Sequence, residues 1–224
     1  ADCILVATGV AYRLLEVDGL ARFVGAGVYY GAALSEARLM AGEEICVVGG
    51  ANSAGQAALY FSRFARRVRL IVRASSLSVA MSHYLIGQIM ATENIDVLCH
   101  TQVVEAHGGI ALEAVTIIDT LTGTRETVPA RALCVFIGAT PRTDWLAELL
   151  ARDEQGYVLT GPDIGPEGRA PGRPLEREPY LLEASVPGIF AAGDVRANSV
   201  KRVASAAGEG AMSVQFIHQY RRER

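Results

Sequence analysis

The chain has 224 residues, half of them apolar and a fifth charged, with a formal net charge of −3, enough to bury the core of one or two globular domains. It has no basic stripe with interleaved aromatics, which argues against nucleic acid. The longest apolar runs, such as "ALCVFIGA", fall far short of the roughly 20 residues that cross a bilayer, and no charged-then-apolar leader opens the chain, so no membrane association and a cytoplasmic location are expected.

Residues 1–37 open with an apolar strand, "CILVATG", and run on through a loop with glycines at 25, 27 and 31. From 38 to 140 the pattern is βαβαβ, with strand 45–48, helix 53–64, strand 68–72, helix 81–93 and strand 95–99. The period then changes: segments 102–107, 110–119 and 125–129 alternate apolar and polar residues and predict an antiparallel meander. The buried run "ALCVFIG" after it returns to the parallel sheet. Residues 141–224 contain a Pro- and Gly-rich loop at 161–179, a short strand at 189–192 and a final helix.

The stretch "ICVVGGANSAG", residues 45–55, joins an apolar strand to a glycine turn and an alanine-lined helix. Such a unit binds dinucleotides: Gly49 permits the tight turn, small residues admit the pyrophosphate, and the opening N–H groups of the helix meet its negative charge. The candidate contacts are Gly49, Gly50, Ala51, Asn52, Ser53 and Ala54; a purely structural turn is the alternative. Ala54, Ala57, Ala58, Phe61 and Phe64 fall on one helical face, and Arg63, Arg66 and Arg67 lie off it. The second signal is "SVPGIFAAGDV", residues 185–195, which sets Gly193 and Asp194 at the C-terminal end of a short strand, where α/β sheets bind ligands. Asp194 would accept a ribityl hydroxyl or, alternatively, cap a helix.

The strings "ILVATG" at 4–9, "GGANSA", "VFIGATPRT" at 135–143 and "SVPGIFAAGDV" occur in the order seen in thioredoxin reductases, and over nearly its whole length the chain resembles that family. The resemblance implies an α/β fold in which a Rossmann-like NAD(P)-binding domain, a parallel sheet plus antiparallel meander, is inserted into the C-terminal part of an FAD-binding α/β domain. It divides the chain into 1–37, partial FAD domain and connection; 38–140, NADPH domain; and 141–224, C-terminal FAD-domain portion. The sequence has no second glycine-rich turn upstream for the ADP half of FAD, so the expectation is a portion of a larger flavoprotein, with an upstream domain fused to it. Strands at 4–7 and 189–192 would then lack sheet neighbours and favour self-association, and a homodimer is expected.

Matched to the family position by position, the redox dithiol should follow a "GV" pair before the NADPH domain, and Gly31 and Leu34 occupy the two cysteine positions. Ser35 stands at the usual acid, with Glu36 beside it. Neither glycine nor leucine accepts electrons, so the family's dithiol relay is absent and no catalytic residue is assigned. Ala51 replaces the usual middle glycine of the turn, where its methyl would crowd the pyrophosphate. Of the family's basic cluster for the 2′-phosphate only Arg73 remains, beside Ala74, Ser75, Ser76 and Ser78; no acidic residue ends the strand, which tilts the choice from NAD to NADP. An ordinary surface arginine is the other reading of Arg73. Gly138 in "VFIGATPRT" is by the same resemblance a further candidate cofactor contact. Toward the flavin, Lys201, Arg202 and Val203 replace Arg-Gln-Ala, with Lys201 keeping the charge and Val203 offering a backbone N–H, and Gly208 and Gly210 would let the last helix pack closely.

The cofactors implied are therefore NADP and FAD, with FAD not expected to be retained by these residues alone. Cys3, Cys46, Cys99 and Cys134 are scattered through strand patterns and read as core residues, and no His or Cys spacing suits a metal. The function expected from the resemblance is hydride transfer from NADPH to FAD and on to an acceptor other than a dithiol. Two alternatives are a ferredoxin- or flavodoxin-NADP reductase-like enzyme and a non-catalytic regulatory module that binds NADPH or FAD.

Overall fold

In chain order the structured elements are β1 (Ile4–Val6), β2 (Val10–Tyr12), β3 (Val28–Tyr30), β4 (Glu44–Val48), α1 (Asn52–Phe61), β5 (Arg67–Ile71), α2 (His83–Met90), β6 (Ile95–Leu98), β7 (Thr101–Gly108), β8 (Leu112–Asp119), β9 (Arg125–Pro129), β10 (Ala132–Val135), β11 (Ala139–Pro141), β12 (Ile189–Ala191) and α3 (Val203–Arg222). They come from a computed structural model that describes residues 1–31, 40–165 and 177–223. Two units are formed, one by Tyr12–Gly138 and one by Ala1–Ala11 with Ala139–Arg224.

In the Tyr12–Gly138 unit, five parallel strands run in the order β3-β10-β4-β5-β6. Both faces of this sheet are covered, and the side-chain period of two sorts each strand between them. Ile45 and Val47 of β4 pack with Ala54, Ala57, Ala58 and Phe61 of α1, and Cys46 and Val48 pack on the other side with Val103, Leu112 and Val115 of the meander. The meander itself is antiparallel, ordered β7-β8-β9. Sequence and structure agree on these elements except at their edges and at β3, which the sequence does not announce.

The helices are shorter than their periodicity suggests. Helix α1 stops at Phe61, and Asn94 Nδ2 closes its end by donating to the carbonyls of Ser62 at 2.8 Å and Ala65 at 3.0 Å. Helix α2 begins only at His83, because Leu77–Val79 form a separate 3-10 turn capped by Ser76, and Met81 is buried against α1 at Gly55. The unit also begins at Tyr12, well before residue 38, because β3 pairs with β10. Three residues between Gly27 and Gly31 are too few to show an alternation, so this edge strand is silent in the sequence.

In the other unit, β1 and β12 pair in parallel, Ile4 with Ile189 and Val6 with Ala191, and β2 pairs with β11. The expectation that 4–7 and 189–192 lack sheet neighbours is therefore corrected, since each supplies the other's ladder, and the argument for self-association from two unpaired strands goes with it. Val6, Ile189 and Ala191 join Leu146, Leu150, Val158 and Val195 in the core of this unit. Helix α3 lays Ala206, Glu209, Ser213, Phe216 and Tyr220 along one face, and Ser213 is its one fully buried residue. Gly208 and Gly210 do not provide close packing: a Cβ at either would meet nothing within 4 Å. None of the four cysteines forms a disulfide among the described residues; Cys46 and Cys134 are buried and Cys3 and Cys99 half-buried. No helix among the described residues is long and apolar enough to cross a membrane.

Candidate functional site

The Gly49 turn leaves β4 at the point where the chain reverses the direction in which it adds strands, α1 and β5 to one side and β10 to the other. Ligands of open α/β sheets bind at such a switch point. Gly49 has φ of +145°, and a Cβ there would stand 2.5 Å from Phe136 O, so glycine is required by the approach of β10 rather than by a ligand alone. Gly138, exposed at the end of that strand with φ of +98°, accepts a hydrogen bond from Arg13 N–H at 3.0 Å. Gly50 packs beside Val72.

Ala51 is the N-cap of α1 and has no side-chain acceptor to offer, and no acidic residue lies in the first helical turn. The first intrahelical bond runs from Gly55 N–H to Ala51 O at 3.2 Å, so the N–H groups of Asn52, Ser53 and Ala54 have no acceptor within the helix. Ala51, Asn52 and Ser53 are exposed, and Ala54 is buried beneath them. Unpaired donors of this kind, reinforced by the helix dipole, suit an anionic group. The side chain of Asn52 is already engaged, its Oδ1 accepting from Ser82 N–H at 2.8 Å.

Arg73 stands two residues beyond Ile71, the residue paired with Val48 immediately before the turn. It is exposed and has no hydrogen-bond or ion-pair partner among the described residues. The arginines on and just before β5 are consumed: Arg66 and Arg69 pair with Glu44 at 2.7 and 2.6 Å, and Arg67 pairs with Asp96 at 2.8 Å. The Arg69 hydrogen bond, with further attraction from Arg66, holds the Glu44 carboxyl below the usual range. Ser76 and Ser78 bond each other, Oγ to Oγ at 2.7 Å. The unpaired donors of α1 and the unpaired guanidinium of Arg73 fit a nicotinamide dinucleotide carrying a 2′-phosphate. Sequence reasoning did not reveal the Asn52–Ser82 link, because an amide in a glycine turn carries no signal of a partner 30 residues away.

In the other unit, Gly193 has φ of +77° and opens a three-residue 3-10 turn whose N-cap is Ala192, so Asp194 lies inside the turn and caps no helix. Its carboxylate is half-exposed and makes no hydrogen bond among the described residues. The Gly193 N–H is taken by Glu209 Oε2 at 2.6 Å. Glu209 also accepts from Arg196, Nε at 3.2 Å and Nη2 at 2.8 Å, while Arg196 Nη1 donates to Thr160 Oγ1 at 2.7 Å. The Arg196 hydrogen bonds, joined by that of Gly193 N–H and opposed by burial, hold Glu209 below the usual carboxylate range. The sequence hint of this network is slight, an acidic residue flanked by Gly208 and Gly210 among the small residues of the first half of α3.

Lys201 adopts a left-handed backbone, φ +55°, and its Nζ lies 4.2 Å from the centroid of the Tyr157 ring. Arg202 is the N-cap position of α3, its guanidinium bonded to Lys201 O at 3.2 Å, and Val203, the first helical residue, is 89% exposed. Asp194 and the uncapped N–H groups at Val203 fit the flavin side of FAD, and no second glycine turn between strand and helix occurs among the described residues of this unit to hold the diphosphate. Of the two positions matched to the redox cysteines, Gly31 closes β3 with φ of +78°, and Leu34 lies outside the described residues, as do Ser35 and Glu36. Burial pushes the Cys46 thiol up to about 12, and no group of three or more metal-ligating side chains is gathered among the described residues.

Comparison with known proteins gives a consistent result. The pyridine nucleotide-disulphide oxidoreductase family matches residues 1–210. The thioredoxin reductase of Listeria innocua is 29% identical over 221 residues, covering 98% of this chain and 63% of the relative, and that of Eremothecium gossypii is 31% identical over 214 residues, covering 95% and 61%. Among solved structures, the thioredoxin reductase of Streptococcus pyogenes superposes with a TM-score of 0.76 at 26% identity, and that of Lactococcus lactis with 0.74 at 25%, covering 99% of this chain and 66% and 67% of theirs. The chain thus spans under two thirds of the length of the curated relatives it matches.

Proposed function

Since the chain belongs to the pyridine nucleotide-disulphide oxidoreductase family, we propose that it takes NADPH at the Gly49 turn and serves hydride transfer to FAD, for an acceptor other than a dithiol at positions 31 and 34. The observation that carries the nucleotide half of this reading is Arg73, left without a partner at the C-terminal edge while the arginines before it on β5 are neutralised. A guanidinium meets a phosphate with two parallel charge-assisted hydrogen bonds. The N–H groups of Asn52, Ser53 and Ala54 would receive the diphosphate, and Gly49 and Gly50 would let the backbone approach it.

When bound, the nicotinamide supplies a hydride and the flavin accepts it. This chain's own part is to bind and orient. Asp194 would accept a ribityl hydroxyl, the α3 N-terminus would donate to the flavin edge, and Lys201 would add positive charge nearby. With Gly31 and Leu34 in place of cysteines, no thiol at those positions can carry the electrons onward. The test is titration of the chain with NADPH and NADH by calorimetry, repeated on Arg73→Ala. NADPH should bind more tightly, and the substitution should cut the ratio of affinities about tenfold or more, as befits a charge-assisted contact worth roughly 1.5 to 3 kcal/mol. Equal binding of the two nucleotides by the unmodified chain defeats the reading.

A further inference from the structure

The segment between β5 and α2 is fastened at two points. Near its start His100 N–H donates to Ala74 O at 3.1 Å, and at its end Ser82 N–H donates to Asn52 Oδ1 at 2.8 Å. Between them Ser78 N–H donates to Ser76 Oγ at 3.0 Å, and Leu77 and Met81 are buried. Met81 lies against α1 so closely that a Cβ on Gly55 would stand 2.8 Å from its Sδ. Arg73 rides at the head of this segment, and Asn52 is the first residue of α1. One side chain therefore ties the helix start that faces a diphosphate to the segment that carries Arg73.

We infer that Asn52 is a positioning residue for nucleotide choice: through Ser82 it fixes the far end of the 73–82 segment, whose start carries Arg73 to meet a 2′-phosphate. The inference rests on the NADPH reading above and adds to it the residue on which discrimination depends. Its physical basis is the cost of ordering. The start of the segment is held independently of Asn52, since Thr101 N–H donates to Val72 O and His100 N–H to Ala74 O, so Asn52 fixes its far end. With both ends held, the backbone after Arg73 is ordered before the ligand arrives. A segment loosened at Ser82 must be ordered further in the act of binding, and that cost falls on the phosphorylated nucleotide alone. The required group is an acceptor at position 52, which asparagine and aspartate both supply and alanine does not.

The experiment uses the whole chain and the variants Asn52→Ala, Asn52→Asp and Arg73→Ala, with NADPH and NADH titrated by nicotinamide fluorescence and the Ser82 amide followed by hydrogen exchange. Asn52→Ala should lower the NADPH-to-NADH affinity ratio about three- to tenfold, the effect of one modest hydrogen bond, and speed exchange at Ser82. Asn52→Asp should keep both the ratio and the slow exchange. Its added charge would weaken the two nucleotides together through the shared diphosphate, and the ratio is blind to that. A collapsed ratio in Arg73→Ala with an unchanged ratio in Asn52→Ala overturns this inference and leaves the NADPH reading standing. An unchanged ratio in Arg73→Ala overturns both. Unaltered exchange at Ser82 in Asn52→Ala shows that the bond does not hold the segment, and rejects the inference even if the ratio moves.

Discussion

Tyr12 and Gly31 interlock: a Cβ on Gly31 would stand 2.8 Å from both Cζ and the hydroxyl oxygen of the Tyr12 ring, at a residue whose φ is +78°. A side chain at position 31 would therefore take on a left-handed backbone and would push the half-exposed Tyr12 ring aside.

Gly31→Cys should therefore destabilise the protein by about 1–2 kcal/mol, chiefly the cost of a left-handed non-glycine residue, with a smaller part from displacing the Tyr12 ring. Tyr12→Ala in the same protein removes the clash and leaves the backbone strain, so the double variant should recover part of the loss. Urea unfolding of the four corners of this cycle measures the coupling. Additive effects would show that the ring and position 31 do not compete for the same space. In a thioredoxin-coupled assay the unmodified protein should be inactive.

The glycine turn makes two opposite predictions. Gly49→Ala pushes a methyl to 2.5 Å from Phe136 O at a φ of +145°, and should cost about 2–4 kcal/mol as β4 and β10 are forced apart. Ala51→Gly meets no such barrier, since Ala51 sits at φ −103° as an N-cap. Glycine is the better N-cap, so this change should add on the order of 0.5 kcal/mol of stability and raise NADPH affinity by removing the methyl from the path of the pyrophosphate. Thermal melts and calorimetry read both. Weaker NADPH binding in Ala51→Gly would show that the methyl does not crowd the ligand.

These contrasts mark where the sequence was legible. The alternation within β4 and β10 and the spacing of Ala54, Ala57, Ala58 and Phe61 are local periodicities, and they announce which side of each element is buried. Strand β3 is three residues long, and its place beside β10 depends on a chain segment a hundred residues later. The Asn52–Ser82 and Glu209–Arg196 bonds are of the same kind, single pairs across separate elements that no window of sequence displays. Reading Gly208 and Gly210 as packing glycines failed because small residues in a helix permit close approach without requiring it.

Glu209 predicts a pH dependence. Its folded pKa is depressed, so its contribution to stability is full above the ordinary glutamate value of about 4.3 and is lost as pH falls through the lower folded value. Glu209→Gln keeps an acceptor for Gly193 N–H but cannot neutralise Arg196. The variant should be less stable than the parent at neutral pH, and the two should converge in acid once the glutamate is protonated. Unfolding curves across that range test this, and a gap that persists or widens in acid contradicts the assignment.

The purified chain should be colourless. Asp194 and the exposed start of α3 offer contacts to one end of FAD, the Gly193 N–H at the strand end is already bonded to Glu209, and the described residues of that unit present no second turn for a diphosphate. Flavin absorbance after purification, and again after adding FAD and desalting, is the measurement. Stoichiometric flavin would mean that these residues build a sufficient site by themselves.

Helix α1 is held at its far end by Asn94, through Ser62 O and Ala65 O, as firmly as Asn52 holds its beginning. Each fastener ties the helix to chain beyond β5, Asn52 to Ser82 and Asn94 back to Ser62 and Ala65, which anchors both ends of this ten-residue helix. Its hydrogen-bonded amides, from Gly55 onward, should exchange only when the parallel sheet opens as a whole, while the unpaired N–H groups of the first turn exchange freely. A nucleotide arriving at such a helix meets donors already in place, and its capture should be set by diffusion and charge, with no slow folding step in the association kinetics.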